Sequence, residues 1–65
     1  MSQEQDILYH LHNIGGLTPI DALERYGCFR LGARINDLRS QGHHIQTIMV
    51  EQNNKRFAKY ELEEL

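Results

Sequence analysis

The sequence has a single cysteine, a single proline, no tryptophan and no long apolar run. Because Cys28 has no second cysteine to bond within the chain, the composition is typical of a reducing compartment. No stretch approaches the about 18 consecutive apolar residues that a membrane helix needs. The first residues, Met1 to Asp6, lack the basic start and apolar middle of a secretory signal. These absences predict a cytoplasmic protein with no membrane partner.

The sequence is also poorly supplied with groups for a catalytic or metal centre. Cys28 has no recognisable base beside it, and a lone cysteine is usually a small buried hydrophobe. His10 and His12 are two residues apart on a helix, and His43 and His44 are neighbours in an extended segment, so neither pair converges on a metal ion. A chain of this length buries only about 60% of its unfolded surface, which leaves little room for a catalytic cavity. We expect a binding protein without enzyme activity, cofactor or metal.

The net charge of −2 hides an uneven distribution. All seven basic residues lie between positions 25 and 59: Arg25, Arg30, Arg34, Arg39, Lys55, Arg56 and Lys59. Only two acids, Asp37 and Glu51, fall in that window, which therefore carries a net charge of +5, whereas the flanks carry seven acids and no Lys or Arg. Such asymmetry is typical of a surface that faces a polyanion. Clustering by chance is the alternative in so short a chain.

The first half of the chain predicts two helices. Ser2 and Gln5 have the spacing of a capping box, and the apolar residues that follow have helical spacing: Ile7, Leu8, Leu11 and Ile14. Gly15 and the glycine after it end this helix. A second helix starts at Thr18, the predicted N-cap, because the proline that follows it suits the first helical position. Gly27 closes this helix, since glycine adopts the left-handed conformation at low cost.

The second half predicts a third helix and a hairpin. The helix runs from Cys28 or Phe29 to Gln41, with a core stripe of Leu31, Ile35 and Leu38. Strands are predicted at residues 44–50 and 56–62, joined by a polar loop at residues 51–55. The fold class is therefore α+β, with three helices followed by a two-stranded hairpin, in one domain over residues 1–65. The short glycine turn before the third helix has helix-turn-helix spacing, and the hairpin is the wing.

The sequence contains three motifs: LTPxxAL at residues 17–23, GCxRL at residues 27–31 and ARIxDLR at residues 33–39. Together they resemble those of the small winged helix-turn-helix domains of phage and prophage proteins. With its continuation to residue 45, the resemblance covers about half of the 65 residues. It implies a winged fold and a DNA-binding role, but no particular target. Gly32 departs from the alanine expected there, which costs about 1 kcal/mol inside a helix unless close packing requires a glycine.

A helical wheel separates the third helix into a core face and an outer face. The outer face holds Phe29, Arg30, Ala33, Asn36 and Asp37, with Arg34 at the edge of the core face. A recognition helix inserts its outward N-terminal residues into the major groove. There, Arg30 suits guanine, Asn36 suits adenine, and Ala33 and Phe29 offer apolar contacts to bases. A structural role stays open for each arginine, including an ion pair between Asp37 and Arg30 or Arg34.

The predicted wing and the second helix offer contacts to phosphate. Lys55, Arg56 and Lys59 surround the wing turn, where charge alone suffices to bind a DNA backbone. A solvated hairpin protected from edge pairing is the alternative. Thr18 lies at the N-terminus of the helix that crosses the backbone, although a plain helix cap explains it equally. The predicted DNA-binding residues are Thr18, Phe29, Arg30, Ala33, Arg34, Asn36, Lys55, Arg56 and Lys59.

Two functions of different class remain open. The first is a small phage-type DNA-binding protein, either a transcription regulator or an excisionase-like factor. It binds double-stranded DNA as a homodimer or in tandem, because a single unit makes few contacts. The second is a protein-binding module that inhibits a host nucleic-acid machine, as anti-defence and anti-CRISPR proteins do. The acidic ends and Asp37 favour this second function, and a fold does not fix a function. A continuous positive face favours DNA, whereas its interruption by Asp37 and Glu51 favours a protein.

Overall fold

The structure, a computed structural model, describes residues 2–63; Met1 and the last two residues of the acidic tail, Glu64 and Leu65, lie outside this range. The elements in chain order are α1 (Gln3–Asn13), α2 (Pro19–Tyr26), α3 (Leu31–Ser40), β1 (Ile45–Gln52) and β2 (Lys55–Leu62). The strands pair in antiparallel fashion, from Ile45 opposite Leu62 to Gln52 opposite Lys55. The predicted α+β order of three helices followed by a hairpin is confirmed.

The first two helices begin at the predicted caps. The Ser2 hydroxyl accepts a hydrogen bond from the Gln5 backbone N–H at 3.3 Å, and the Thr18 hydroxyl accepts one from the Asp21 N–H at 3.2 Å. Each bond satisfies a backbone donor that the first turn of a helix leaves free. Gly27, with a φ of 64°, ends α2 in the left-handed conformation, as its position predicts.

The predicted start of α3 is wrong. The Cys28 N–H donates back to the Ala22 carbonyl at 3.1 Å, and the Cys28 side chain is buried. These contacts hold the chain in a turn, and Arg30 follows in a non-helical conformation with φ −123° and ψ 67°. The helix therefore begins at Leu31. Phe29 and Arg30 lie in the turn before α3 and not on the helix itself.

Two other predicted boundaries also shift. Helix α1 ends at Asn13, so Ile14 falls outside the helix and is exposed instead of joining the core stripe. The hairpin turn has only two residues, Asn53 and Asn54, with φ values of 54° and 62°. Two consecutive positive φ values match the twist of antiparallel strands, and asparagine tolerates them. The five-residue loop was therefore predicted too long, and its outer residues belong to the strands.

The core lies where the three helices meet the base of the hairpin. Helix α1 contacts α2, α3 and β2. The buried apolar residues are Ile7, Leu11, Leu17, Ala22, Cys28, Leu31, Ile35, Leu38 and Ile45, with Leu8, Tyr26, Tyr60 and Leu62 packed around them. The predicted stripe of α3 is thus confirmed, as is the buried apolar role of Cys28. At about 1.5–3 kcal/mol for each large side chain removed from water, this cluster is the main source of stability.

Two contacts fix the hairpin to the helices. Leu17 and Tyr60 exchange two backbone hydrogen bonds of 2.9 Å, which attach the segment before α2 to the outer edge of β2. The Arg39 guanidinium donates to the Ile45 carbonyl from Nε at 3.0 Å and from Nη2 at 2.7 Å. Its Nη2 also donates to the Thr47 hydroxyl at 3.1 Å. The end of α3 is thereby joined to the start of β1.

A buried polar contact joins α1 to α2. The His10 side chain is only 2% exposed, and its Nδ1 lies 2.7 Å from the Tyr26 hydroxyl. The two rings meet edge to face, with centroids 5.7 Å apart. A buried polar atom is costly without a partner, so the Tyr26 hydroxyl is what makes a histidine acceptable at this position.

Removal of the Tyr26 hydroxyl tests this contact. We expect Tyr26→Phe to lower the free energy of unfolding by about 1–3 kcal/mol, because His10 Nδ1 stays buried without its partner. Tyr9→Phe is the matched control, since Tyr9 is exposed and makes no side-chain hydrogen bond within residues 2–63. Urea denaturation followed by circular dichroism measures both. Equal stabilities of the two variants would contradict the assigned role.

Gly32 offers a second test of stability. A Cβ built at Gly32 meets only the Tyr60 hydroxyl, at an ordinary contact distance of 3.8 Å, so packing does not require glycine there. We expect Gly32→Ala to raise the free energy of unfolding by about 0.5–1 kcal/mol. Gly27→Ala is the control with the opposite sign, because its φ of 64° strains a residue with a side chain. A loss of stability in Gly32→Ala would show that the position is tighter than its contacts indicate.

Candidate nucleic-acid interface

The outer surface of α3 is set by burial of its opposite face. With Leu31, Ile35 and Leu38 in the core, the surface left to solvent carries Asn36, which is exposed, and Ala33, which is half-buried. The Asn36 side-chain amide makes no hydrogen bond within residues 2–63 and is available to a ligand. Because the Ala33 side chain is only a methyl group, a flat or grooved partner can approach the helix backbone at that position.

Arg34 lies at the edge of the buried stripe, as the helical wheel predicts. Its Nη2 is 3.1 Å from the Asp37 carboxylate, and the two side chains are 36% and 44% exposed. An ion pair this accessible stabilises a helix by only about 0.3–0.5 kcal/mol. The Arg34 Nε is buried and has no hydrogen-bond partner within the described residues. Of the pairings that the sequence left open for Asp37, the structure therefore has the one with Arg34.

The turn before α3 forms a shallow depression with the start of α1. Phe29, Arg30 and Arg34 line it together with Gln3 and Gly27. The Gln3 amide donates to the Gly27 carbonyl at 3.3 Å, which positions α1 beside the turn. Phe29 is 87% exposed and Arg30 is also exposed. Three of the predicted site residues thus meet in one place. Nothing in the sequence indicates that Gln3 belongs to this depression, because Gln3 lies 24 residues from Gly27 along the chain.

The three wing cations do not form one group. Lys55 and Arg56 are exposed directly after the turn, but Lys59 pairs with Ile48 nearer the base of the hairpin. Because side chains alternate along a strand, Arg56 lies on the face that continues from Tyr60, and the two lysines lie on the other face. The prediction that all three surround the turn is therefore wrong for Lys59.

Neighbouring acids offset two of these three wing charges. Arg56 Nε is 3.8 Å from the Glu51 carboxylate, and Lys59 Nζ is 3.8 Å from that of Glu61. The Lys59 stem also lies close against Gly16. Lys55 makes no ion pair within residues 2–63. It is consequently the wing cation that is freest to meet an anion.

Thr18 is half-buried, and its hydroxyl is engaged by the Asp21 N–H, so the structure assigns it the cap role that was the simpler of two interpretations. Its backbone still marks the N-terminus of α2, where unpaired N–H groups and the helix dipole favour an anion. Thr18 therefore remains a predicted phosphate contact through this position and not through its side chain.

A comparison with known protein families identifies the family to which a chain with this geometry belongs. A family described as a winged helix-turn-helix domain matches residues 2–64. The chain belongs to this family. Among curated proteins and solved structures there is no match. In this winged helix-turn-helix domain, α2 and α3 are the paired helices, residues 27–30 form the turn between them, and β1 and β2 form the wing.

Within residues 2–63, the winged helix-turn-helix domain shows no group of three or more His, Cys, Asp and Glu side chains placed to hold a metal ion. Over the same part of the chain, none of the helices combines the length and apolarity needed to cross a membrane.

The electrostatics of the domain are mixed. Asp37 and Glu51 both lie in the basic part of the chain, and each is paired with an arginine, at 3.1 and 3.8 Å. They interrupt the run of positive charge in this part of the chain. Arg30 before α3 and Lys55 at the wing turn are exposed and make no ion pair in the described range. Arg25 in the last turn of α2 is likewise exposed and makes no ion pair in this range, so the positive charge available to a ligand lies at these three places.

Proposed function

We propose that this winged helix-turn-helix domain binds double-stranded DNA, with α3 in the major groove and the wing against the backbone. The observation that carries the proposal is the placement of Arg30 in the turn directly before α3 and of Ala33 and Asn36 on α3 outside its buried stripe. That is the part of a helix-turn-helix that reaches base edges. The resemblance to phage proteins favours a transcription regulator or an excisionase-like factor acting in the cytoplasm.

The side chains in and before α3 differ in the base that each one suits. The exposed guanidinium of Arg30 suits the two acceptors of guanine, and the free amide of Asn36 suits the acceptor and donor of adenine. Ala33 allows the helix to come close to the base edges. Phe29 is positioned for apolar contact with a thymine methyl group. These residues supply sequence preference, because they are aimed at groups that differ between base pairs.

Other residues supply affinity through phosphates. Lys55 contacts the DNA backbone from the wing turn. Arg56 and Lys59 attract phosphates only over a shorter distance, because a neighbouring carboxylate offsets the charge of each. Thr18 places the N-terminus of α2 toward a phosphate. Arg34 exchanges part of its contact with Asp37 for a phosphate oxygen, which also gives its buried Nε a polar environment. Such contacts fix register without reading sequence.

Fluorescence anisotropy tests the proposal directly. The intact protein is titrated into a labelled random duplex and a labelled duplex from upstream of its own gene, each at two salt concentrations. We expect affinity to fall steeply with salt, because bound phosphates release counterions, and to be higher for one duplex. Absence of binding at low salt, by protein that circular dichroism shows to be folded, would refute the proposal.

Two substitutions separate base reading from phosphate binding. Arg30→Ala is expected to cost about 1–3 kcal/mol on the preferred duplex and to relax sequence preference. Lys55→Ala is expected to weaken binding to all duplexes alike and to reduce the salt slope by about one. Arg25→Ala is the matched control, since it removes the same charge from the exposed end of α2. If Arg30→Ala and Arg25→Ala behave alike, Arg30 does not read a base.

A protein-binding function is the second candidate, and a specific observation favours it. Phe29 is 87% exposed and lies beside a basic surface in which Asp37 is paired with Arg34. An exposed aromatic ring next to charges of both signs suits a protein partner. In this alternative the domain inhibits or modulates a host nucleic-acid machine, as anti-defence proteins do. Asp37 would then contact a basic group of that partner.

Asp37→Asn distinguishes the two candidates. Loss of the carboxylate frees Arg34 and removes a repulsive charge from the proposed DNA surface. For a DNA-binding protein, we expect tighter binding to every duplex and a salt slope steeper by about one. Anisotropy on the same duplexes measures the change. Unchanged or weaker DNA binding in folded Asp37→Asn would place Asp37 outside the DNA surface and favour the protein partner.

A further inference from the structure

The hydrogen-bond pattern of the hairpin defines the free edge of β1. The His44 carbonyl accepts from the Glu63 N–H at 2.8 Å, so these opposed residues form a hydrogen-bonded pair. Hydrogen-bonded and non-hydrogen-bonded pairs alternate in antiparallel strands. The even-numbered residues of β1 therefore bond to β2. The backbone groups of the odd-numbered residues point away from β2: Ile45, Thr47, Met49 and Glu51.

One of these four positions is already occupied. Arg39 donates twice to the Ile45 carbonyl, as described above. For Thr47, Met49 and Glu51, the outward N–H and C=O groups have no partner within residues 2–63. Three consecutive outward positions on one strand are enough for a short ladder to a further strand.

The two edges of the hairpin differ in their protection. The outer edge of β2 is paired with Leu17 and its strand carries three cations. The β1 strand, IQTIMVEQ, has no proline, no lysine and a single charge, Glu51, and most of its residues are exposed. Proteins normally blunt an exposed edge with lysine, proline or a bulge, because an unprotected edge accepts another strand. The β1 edge lacks the first two devices and keeps regular pairing with β2 throughout.

We propose that the β1 edge binds a second copy of this chain, strand against antiparallel strand, about a two-fold axis at Met49. Outward residues must face outward residues, and the three free positions are centred on Met49. The axis therefore places Thr47 opposite Glu51 of the partner subunit and Met49 opposite Met49 of the partner subunit. The result is a four-stranded sheet in the order β2, β1, β1, β2.

Charge complementarity identifies a second copy as the occupant. Arg39 Nη2 lies 3.1 Å from the Thr47 hydroxyl. In the proposed register, Glu51 of the partner subunit is opposite Thr47, which brings its carboxylate to the same face as this guanidinium. The two-fold axis repeats the contact, so the only charged residue of each β1 strand faces an arginine. No like charges are opposed between the two strands.

The apolar residues of β1 fit the same register. Met49 is 63% exposed in the single chain and meets its own copy at the axis. On the other face of the sheet, Ile48 is placed opposite Val50 of the partner subunit. Side chains that are exposed in one copy thus cover one another in the pair, which adds hydrophobic burial to the backbone ladder.

Sedimentation equilibrium of the free protein tests the pairing, and it does not depend on the proposed DNA function. The mass is expected to rise from 7.6 kDa toward twice that value with concentration up to the millimolar range. Amide exchange identifies the surface. The N–H groups of Thr47, Met49 and Glu51 are expected to become protected as concentration rises, while those of Ile48 and Val50 are protected throughout. A monomer at all concentrations, or a dimer without this alternation, would overturn the proposal.

Met49→Lys supplies the matched variant. It places two ammonium groups at the axis, and we expect a monomer at concentrations where the parent is dimeric. Tyr9→Lys is the control, because Tyr9 has the same 63% exposure on α1, away from the wing. If Met49→Lys unfolds, Glu51→Lys repeats the test by opposing a lysine to Arg39 of the partner subunit. A dimer of undiminished affinity in the folded variant would refute the assignment.

Discussion

Burial of the apolar stripe on α3 is the constraint on which the rest of this small structure depends. Leu31, Ile35 and Leu38 are withdrawn from water together: α1 and α2 pack against α3, and Ile45 of β1 belongs to the same buried cluster. Since a helix is rigid, fixing one face fixes the opposite one. This packing determines the direction of the Asn36 side chain and places Arg34 at the edge of the buried face. It also fixes the point at which the chain enters α3, at residue 30. The functional surface is thus specified by the core and needs few contacts of its own.

The wing has no core of its own and is held through its base. Only Ile45 of β1 is buried and most of that strand is exposed, whereas residues 57–62 of β2 are half-buried. Arg39 therefore orients the hairpin on the β1 side, and the pairing of Leu17 with Tyr60 orients it on the β2 side. An isolated two-stranded hairpin is marginal in water. Its tight two-asparagine turn and these two attachments are what make an extended wing possible on a chain of this size.

The sequence predicts those features that depend on neighbours along the chain. The caps at Ser2 and Thr18, the glycine end of α2 and the stripe of α3 are local patterns, and all are confirmed. The family resemblance is confirmed as well. A helical wheel carries no information on where a helix begins, which is why Phe29 and Arg30 were wrongly placed on α3. The burial of Cys28 and its return bond to α2 decide that boundary, and both depend on the fold.

Contacts between distant segments were beyond sequence reasoning for the same reason. His10 was considered only as a metal ligand, yet it is buried against Tyr26 in the core. Arg39 enters the sequence analysis only as one of the seven basic residues, yet it holds the start of the wing through the Ile45 carbonyl. In the candidate site, the sequence identifies the residue types, whereas the pairing of Asp37 with Arg34 and the separation of Lys59 from the turn require the three-dimensional arrangement.

The contact between Leu17 and Tyr60 has a consequence for assembly. It fills the outer edge of β2 at the base of the hairpin, and the cations of β2 discourage pairing farther out. A sheet that gains a strand at β1 therefore has, as its other edge, a β2 strand that is paired at its base and positively charged farther out. These features oppose further growth, so the proposed pairing leads to a closed, symmetric dimer and not to a fibre.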